Sequence, residues 1–109
     1  MEEKSLLLQF VGDTPLFRIV DFLVENKGID VSKKDILDGA KISRATLFNY
    51  WGQLEKYSIV KVTRRFGRTK LFTLDTSNVL VKRIIDLEVA LINTTMEKAQ
   101  KNKEILVEN

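Results

Sequence analysis

Residues 42–74 read ISRATLFNYWGQLEKYSIVKVTRRFGRTKLFTL, and this stretch decides the fold. Ser43 is an N-cap residue, because its hydroxyl can satisfy a free backbone N–H at a helix start. A helix then runs from Arg44 to about Tyr57. At about 100° per residue, Leu47, Tyr50, Trp51 and Leu54 fall in one arc, the face for a core. The opposite arc holds Ala45, Phe48, Asn49, Gly52, Gln53 and Lys56. Ser58 to Arg65 is β-branched and partly alternating, Phe66-Gly67-Arg68 is a turn, and Lys70 to Leu74 is a second strand. Two strands around a glycine turn predict a β-hairpin.

Upstream, the chain prepares that helix with another. Ser32 caps a helix in which Asp35, three residues on, can reach back as in a capping box. Ile36, Leu37 and Ala40 are its apolar side, and Gly39 at its end is expected to let the chain turn. Two short helices across a tight turn make a helix-turn-helix. Before them, Asp13-Thr14-Pro15 reads as a helix start, with Pro15 at the first helical position. Leu16, Ile19, Val20, Leu23 and Val24 give that helix one buried stripe, and Gly28 is its expected end. Residues 4–11 read first as a short helix closed by Gly12, with a strand as the alternative. Ile29-Asp30-Val31 reads as an extended link.

Downstream, Ser77 is the expected cap of a long helix from Asn78 to around residue 100, with Ile105 to Asn109 fraying. Its apolar residues spread too widely for a one-sided stripe. One arc (Leu80, Ile84, Leu87, Leu91) is expected to cover the domain's own core. The other (Val81, Ile85, Val89, Ile92, Met96) is left over, and a second copy of the chain is the economical cover. The alternative is that the helix packs deeper into its own domain. The fold class is mainly α with a small β-hairpin, in a single domain. Residues 1–77 are the reading unit and 78–109 the dimerisation helix.

Charge is distributed unevenly. Between residues 41 and 70 stand Lys41, Arg44, Lys56, Lys61, Arg64, Arg65, Arg68 and Lys70 against Glu55 alone, while both flanks are slightly acidic. A local excess of this size in a chain of net charge +3 points to a polyanion. The chain has no His and no Cys. Thiolate chemistry, disulfides and the commonest general base and metal ligands are therefore excluded, and no cofactor or metal is expected. No phosphate loop or nucleophile–base pair is present, so an enzyme is not expected. Nothing approaches the ~18 apolar residues in a row of a membrane span. The acidic start, Met1-Glu2-Glu3-Lys4, is not that of a signal peptide. A soluble cytoplasmic protein is the expectation.

The order helix, helix-turn-helix, basic hairpin, helix is that of a winged helix-turn-helix. LQFVGDTPLFRIVDFLVENKG resembles the opening of ArsR-type regulators, and residues 42–74 resemble the recognition helix and wing of MarR-like archaeal regulators. Ser58 stands where those relatives usually have glycine, and Phe72 where tyrosine is common. The missing His and Cys argue against the metal-sensing branch. The resemblance implies a homodimeric regulator of transcription that binds double-stranded DNA, with residues 43–57 in the major groove and the wing, 60–74, in the minor groove. The residue types fit that task. Asn49 and Gln53 can pair bidentately with adenine, Arg44 with guanine or phosphate, and Ala45 or Phe48 can touch a thymine methyl. Phe48 also reads as a half-buried packing residue. Ser43 and Thr46 suit phosphate, and Lys56 adds charge. Arg64, Arg65, Arg68 and Lys70 on a thin hairpin suit a narrow minor groove. Gly52 is explained equally by close approach of DNA or by a packing constraint. The competing function is a winged-helix interaction module of a replication or segregation assembly, without operator binding.

Overall fold

The computed structural model describes residues 4–108. Met1 to Glu3, read above as part of an acidic start, lie outside the described residues, as does Asn109. The elements are α1 (Leu6–Val11), α2 (Pro15–Glu25), α3 (Lys33–Ala40), α4 (Arg44–Lys56), β1 (Val60–Phe66), β2 (Thr69–Leu74) and α5 (Val79–Glu108). This is the mainly α fold with a small hairpin that the pattern predicts.

The helix starts follow from their caps. Ser5 Oγ accepts from Leu8 N at 3.1 Å to start α1, and Thr14 caps α2 with Pro15 at its first position. At α3 both halves of the capping box form, Ser32 Oγ from Asp35 N at 3.1 Å and Asp35 Oδ2 from Ser32 N at 2.9 Å. The ends differ more from expectation. α2 stops at Glu25, where the Asn26 side chain donates to the Phe22 carbonyl at 2.8 Å; Gly28, at φ +85°, lies in the turn beyond. Gly39 does not turn the chain. It sits inside α3, where a Cβ would overlap the Phe22 ring, so it is glycine because α2 packs against it. The left-handed residue between the two helices is Lys41, at φ 57°.

β1 and β2 pair antiparallel around a two-residue loop, with Phe66 opposite Thr69. Gly67 takes φ +57° at the first loop position, as a type II′ turn requires. A bulge between Val62 and Arg64 shifts the register, so that Arg65 comes to lie opposite Lys70. The predicted link at Val31 is a third strand in miniature. Val31 and Phe72 exchange both backbone hydrogen bonds, at 2.8 and 2.7 Å. The core gathers Ile19, Val20, Leu23 and Val24 of α2, Ile36 and Ala40 of α3, Leu47, Trp51 and Leu54 of α4, with Ile59, Phe72 and Leu74. The helical stripes are therefore the ones that spacing predicts.

α5 departs from expectation in three ways. Its cap is Asn78, whose Oδ1 accepts from Leu80 N at 2.9 Å; Ser77 instead turns its hydroxyl back to Asp75 Oδ1 at 2.6 Å. The Asn78 amide also donates to the carbonyls of Tyr57 and Ser58, both at 2.7 Å. That clamp holds Ser58 at φ +53°, a conformation that costs a side chain about 1–2 kcal/mol. Second, the clamp aims the helix so that Val81 is wholly buried in the domain's own core, with Ile84 and Ile85 packed against it. Val81 is thus removed from the predicted dimer face, Ile85 is largely so, and Leu80, expected in the core, is exposed. Third, the helix runs to Glu108 without ending near residue 100. At about 1.5 Å per residue it is about 45 Å long. The radius of gyration is 16.8 Å, against about 13 Å for a compact chain of this size. Residues 92–102 are exposed on every side.

On α2, Glu25 lies within reach of two other carboxylates, Asp21 one turn earlier and Glu88 of α5. Asp21 is buried and accepts from Ser5 Oγ at 2.9 Å. Burial pushes its carboxyl above the usual range, against the opposing pull of Ser5. Glu25 is raised by burial and by the neighbouring charges of Asp21 and Glu88. One oxygen of Glu88 is buried without a hydrogen-bond partner. Asp13 behaves oppositely, held down to about 2 mainly by its hydrogen bond with Arg18.

The two raised groups bind protons more tightly folded than unfolded. Their stabilising effect is complete below the ordinary carboxylate range and is lost as pH rises through the raised values. Melting temperature should therefore climb as pH falls from about 7 to about 4.5, before Asp13 begins to protonate. Asp21→Asn should melt higher than the parent at neutral pH and flatten that climb. A variant with the parent's slope would show that Asp21 is not responsible.

Candidate nucleic-acid interface

The outward face of α4 carries Ala45, Phe48, Asn49, Gly52, Gln53 and Lys56, all exposed. Phe48 is 82% exposed, which overturns its reading as a packing residue. Trp51, by contrast, is buried, with Phe72 edge-on at 4.8 Å between centroids. At the helix start Ser43 Oγ accepts from Thr46 N at 3.1 Å and donates to Thr46 Oγ1 at 2.9 Å. The Ser43 proton is thus used locally, while the Thr46 hydroxyl can still donate outward. Arg44 stands beside them, exposed.

Gly52 has open space where a side chain would be, with nothing within 4 Å of an added Cβ. Packing inside the chain therefore does not require it, and of its two explanations the internal one is removed. It lies in a groove of about 500 Å³ between α3 and α4, walled by Leu37, Leu47, Phe48 and Trp51 and rimmed by Lys33, Lys34, Arg44 and Glu55.

A second hollow, of about 720 Å³, opens between the helix-turn-helix and the wing. Lys33, Lys34, Arg44, Arg68 and Lys70 line it, and no carboxylate does. The structure thus brings together Arg44, Arg68 and Lys70, which the sequence singled out, with two lysines that it did not. Lys34 is shared with Asp38, at 2.8 Å, and Lys33 lies 4.5 Å from the Trp51 ring centroid. A signal for these lysines was present. They occupy the first turn of a helix, the positive end of its dipole, where cations are unfavourable without an anion to meet them.

The wing cations are not equivalent. Arg64 pairs with Asp30 at 3.3 Å, so part of its charge is answered within the chain. Arg65, Arg68 and Lys70 have no carboxylate partner among the described residues and are exposed. Arg65 and Lys70 are direct cross-strand neighbours. Like charges in that position repel and weaken the hairpin. Among the described residues no group of three or more acidic side chains is placed to hold a metal ion, and no helix is long and apolar enough to cross a membrane.

No protein-family model and no curated protein matches this chain. Solved structures do. The Staphylococcus aureus regulator MepR, in complex with DNA, is similar at 20% identity over 94% of this chain and 82% of its own, with a TM-score of 0.62. NadR, in complex with 4-hydroxyphenylacetate, is similar at 24% identity over 94% of this chain and 74% of its own, with a TM-score of 0.59. A DNA-binding protein of Sulfolobus solfataricus is similar at 17% identity over 82% of this chain and 93% of its own, with a TM-score of 0.51. At such identities the likeness is one of fold, and that fold is the winged helix.

An exposed glycine in a helix, touching nothing, is a cost to the free protein. Gly52→Ala should raise the unfolding free energy by about 0.5–1 kcal/mol in urea titrations. A loss of stability would reveal a contact at this position that the chain itself does not show.

Proposed function

We propose that this chain is a homodimeric transcriptional regulator that binds double-stranded DNA and is not an enzyme. The observation that carries the reading is the carboxylate-free hollow between α3, α4 and the wing. Five cations line it, and one of them, Lys70, faces a further unpaired cation, Arg65, across the hairpin. A surface that repels itself in the free protein is stabilised by a polyanion. α4 supplies base-reading groups for the major groove, with Asn49 and Gln53 suited to adenine, Arg44 to guanine or phosphate, and Phe48 or Ala45 to a thymine methyl. Lys33 and Lys34 belong to the first helix of the helix-turn-helix, the one that crosses the DNA backbone. The wing brings Arg65, Arg68 and Lys70 to the minor groove, with Arg64 held back by Asp30. MepR, bound to DNA, and the Sulfolobus DNA-binding protein support this by their likeness of fold.

Dimerisation rests on the outer half of α5. Val89, Ile92 and Met96 are exposed, at spacings of three and four residues. A lone helical extension of this length is marginal in water, and an exposed apolar row is its reason to find a partner. A two-fold dimer about this helix would read a pseudo-palindromic site with half-sites about 34 Å apart. Blocking or recruiting polymerase there would be the regulatory output.

Binding to random duplex DNA, titrated from low to high salt, is the direct test. If about six phosphates are neutralised, the affinity should fall with a log–log slope near −5. Replacing Arg65, Arg68 and Lys70 together by Ala should flatten that slope by about 3; Arg64→Ala should change it least. Absence of binding at micromolar protein in low salt would sink the proposal and favour the protein-interaction module.

Ile92→Asp should convert the dimer to a monomer in sedimentation velocity while leaving the melting of the 4–85 core intact. Val81→Asp should instead unfold the chain. An Ile92→Asp protein that still sediments as a dimer would place the interface elsewhere.

A further inference from the structure

The tip of the wing carries an apolar ring as well as charge. Phe66 is 60% exposed at the last paired position of β1, facing Thr69 across the Gly67-Arg68 loop. Nothing about the turn requires it. The positive φ is taken by Gly67, and a polar residue would serve the closing pair as well. Arg68 follows in the loop, and Arg65 and Lys70 pair on the opposite face of the same two strands, all three without carboxylate partners among the described residues. Val62, further down the same strand, is also exposed, so β1 lends the tip no cover from the core. The base of the hairpin is braced, by the Val31–Phe72 bridge at 2.8 and 2.7 Å, the Phe72–Trp51 contact and the Arg64–Asp30 pair at 3.3 Å. The result is a braced finger whose tip carries an exposed ring on one face and cations in the loop and on the other face.

An ion would explain the cations but not the ring. An apolar partner would explain the ring but not the cations. A DNA duplex offers both, phosphates at the groove edge and flat apolar base faces between its steps. We infer that Phe66 is a wedge that inserts between base pairs from the minor groove and bends the duplex away from the wing. This inference rests on the DNA-binding reading above and adds to it a deformation of the DNA. The cations hold the finger against the phosphates while the ring takes the place of one base's stacking neighbour. Flexible steps, pyrimidine followed by purine, open most readily, so the wedge would select sequence at positions touched by no base-reading side chain.

The test uses the full chain and a duplex of about thirty base pairs with a fluorescent donor and acceptor at its ends. Binding should raise energy transfer, as a bend of roughly 20–90° draws the ends together. Phe66→Ala should bind at least roughly fivefold more weakly and leave energy transfer at the level of free DNA. Phe66→Leu and Phe66→Trp should keep the bend. Because the ring is exposed, Phe66→Ala should melt with the parent, which separates a lost wedge from a lost fold. A parent protein that binds without bending, or a Phe66→Ala protein that bends like the parent, overturns the inference and leaves the DNA-binding reading standing. A parent protein that does not bind DNA overturns both. If Phe66→Ala instead releases the chain from anionic phospholipid vesicles while DNA bending persists, the tip is a membrane contact and the inference fails.

Discussion

The wing is pinned to the helices where Val31 and Phe72 exchange both their backbone hydrogen bonds and Phe72 meets Trp51 edge-on. A two-stranded hairpin alone is marginal in water. This junction lends it a third strand on one side and the core on one face. It also fixes α3, because Ser32 caps that helix one residue after the bridge. Trp51 belongs to α4, so three elements meet at a single ring pair. The distance from α4 to the wing, and with it the cationic hollow between them, is set there.

Much of this was legible in the sequence because it is local. The caps at Thr14, Ser32 and Ser43, the stripe of α2 and the two faces of α4 follow from period and residue type. The errors lie where geometry beyond one element decides. A helical wheel divides α5 into two apolar arcs but does not say which arc faces home. That choice was made by Asn78, which caps the helix and clamps the Tyr57 and Ser58 carbonyls together. The clamp turns Val81 inward and Leu80 outward. Gly39 was misread for the same reason, since the ring that forbids a side chain there comes from a different helix.

The candidate site was half legible. The residues expected on α4 and the wing are exposed except for Thr46, which is half-buried, yet the hollow owes two of its five cations to α3. Lys33 and Lys34 escaped notice because they lie within a stretch of net acidic charge, and a sum over sequence hides what folding brings near. Arg64 shows the converse, a cation in the basic stretch whose partner, Asp30, comes from outside it. Several positions here break a local rule: lysines at a helix N-terminus, a bare glycine on an exposed helix face, like charges across a hairpin. Such violations cluster where a protein is shaped for something other than its own stability.

The long helix has one more consequence. α5 begins anchored in the core and continues, unbroken by Gly or Pro, through its exposed stretch 92–102. It therefore transmits phase as well as length. One residue inserted between Val81 and Val89 would advance the outer half by about 1.5 Å and rotate it by about 100° about the axis. The apolar row would then face a different direction relative to α4. For the proposed dimer, side chains along α5 can drift singly, but its length can change only in steps that restore the angle, of about seven or eleven residues.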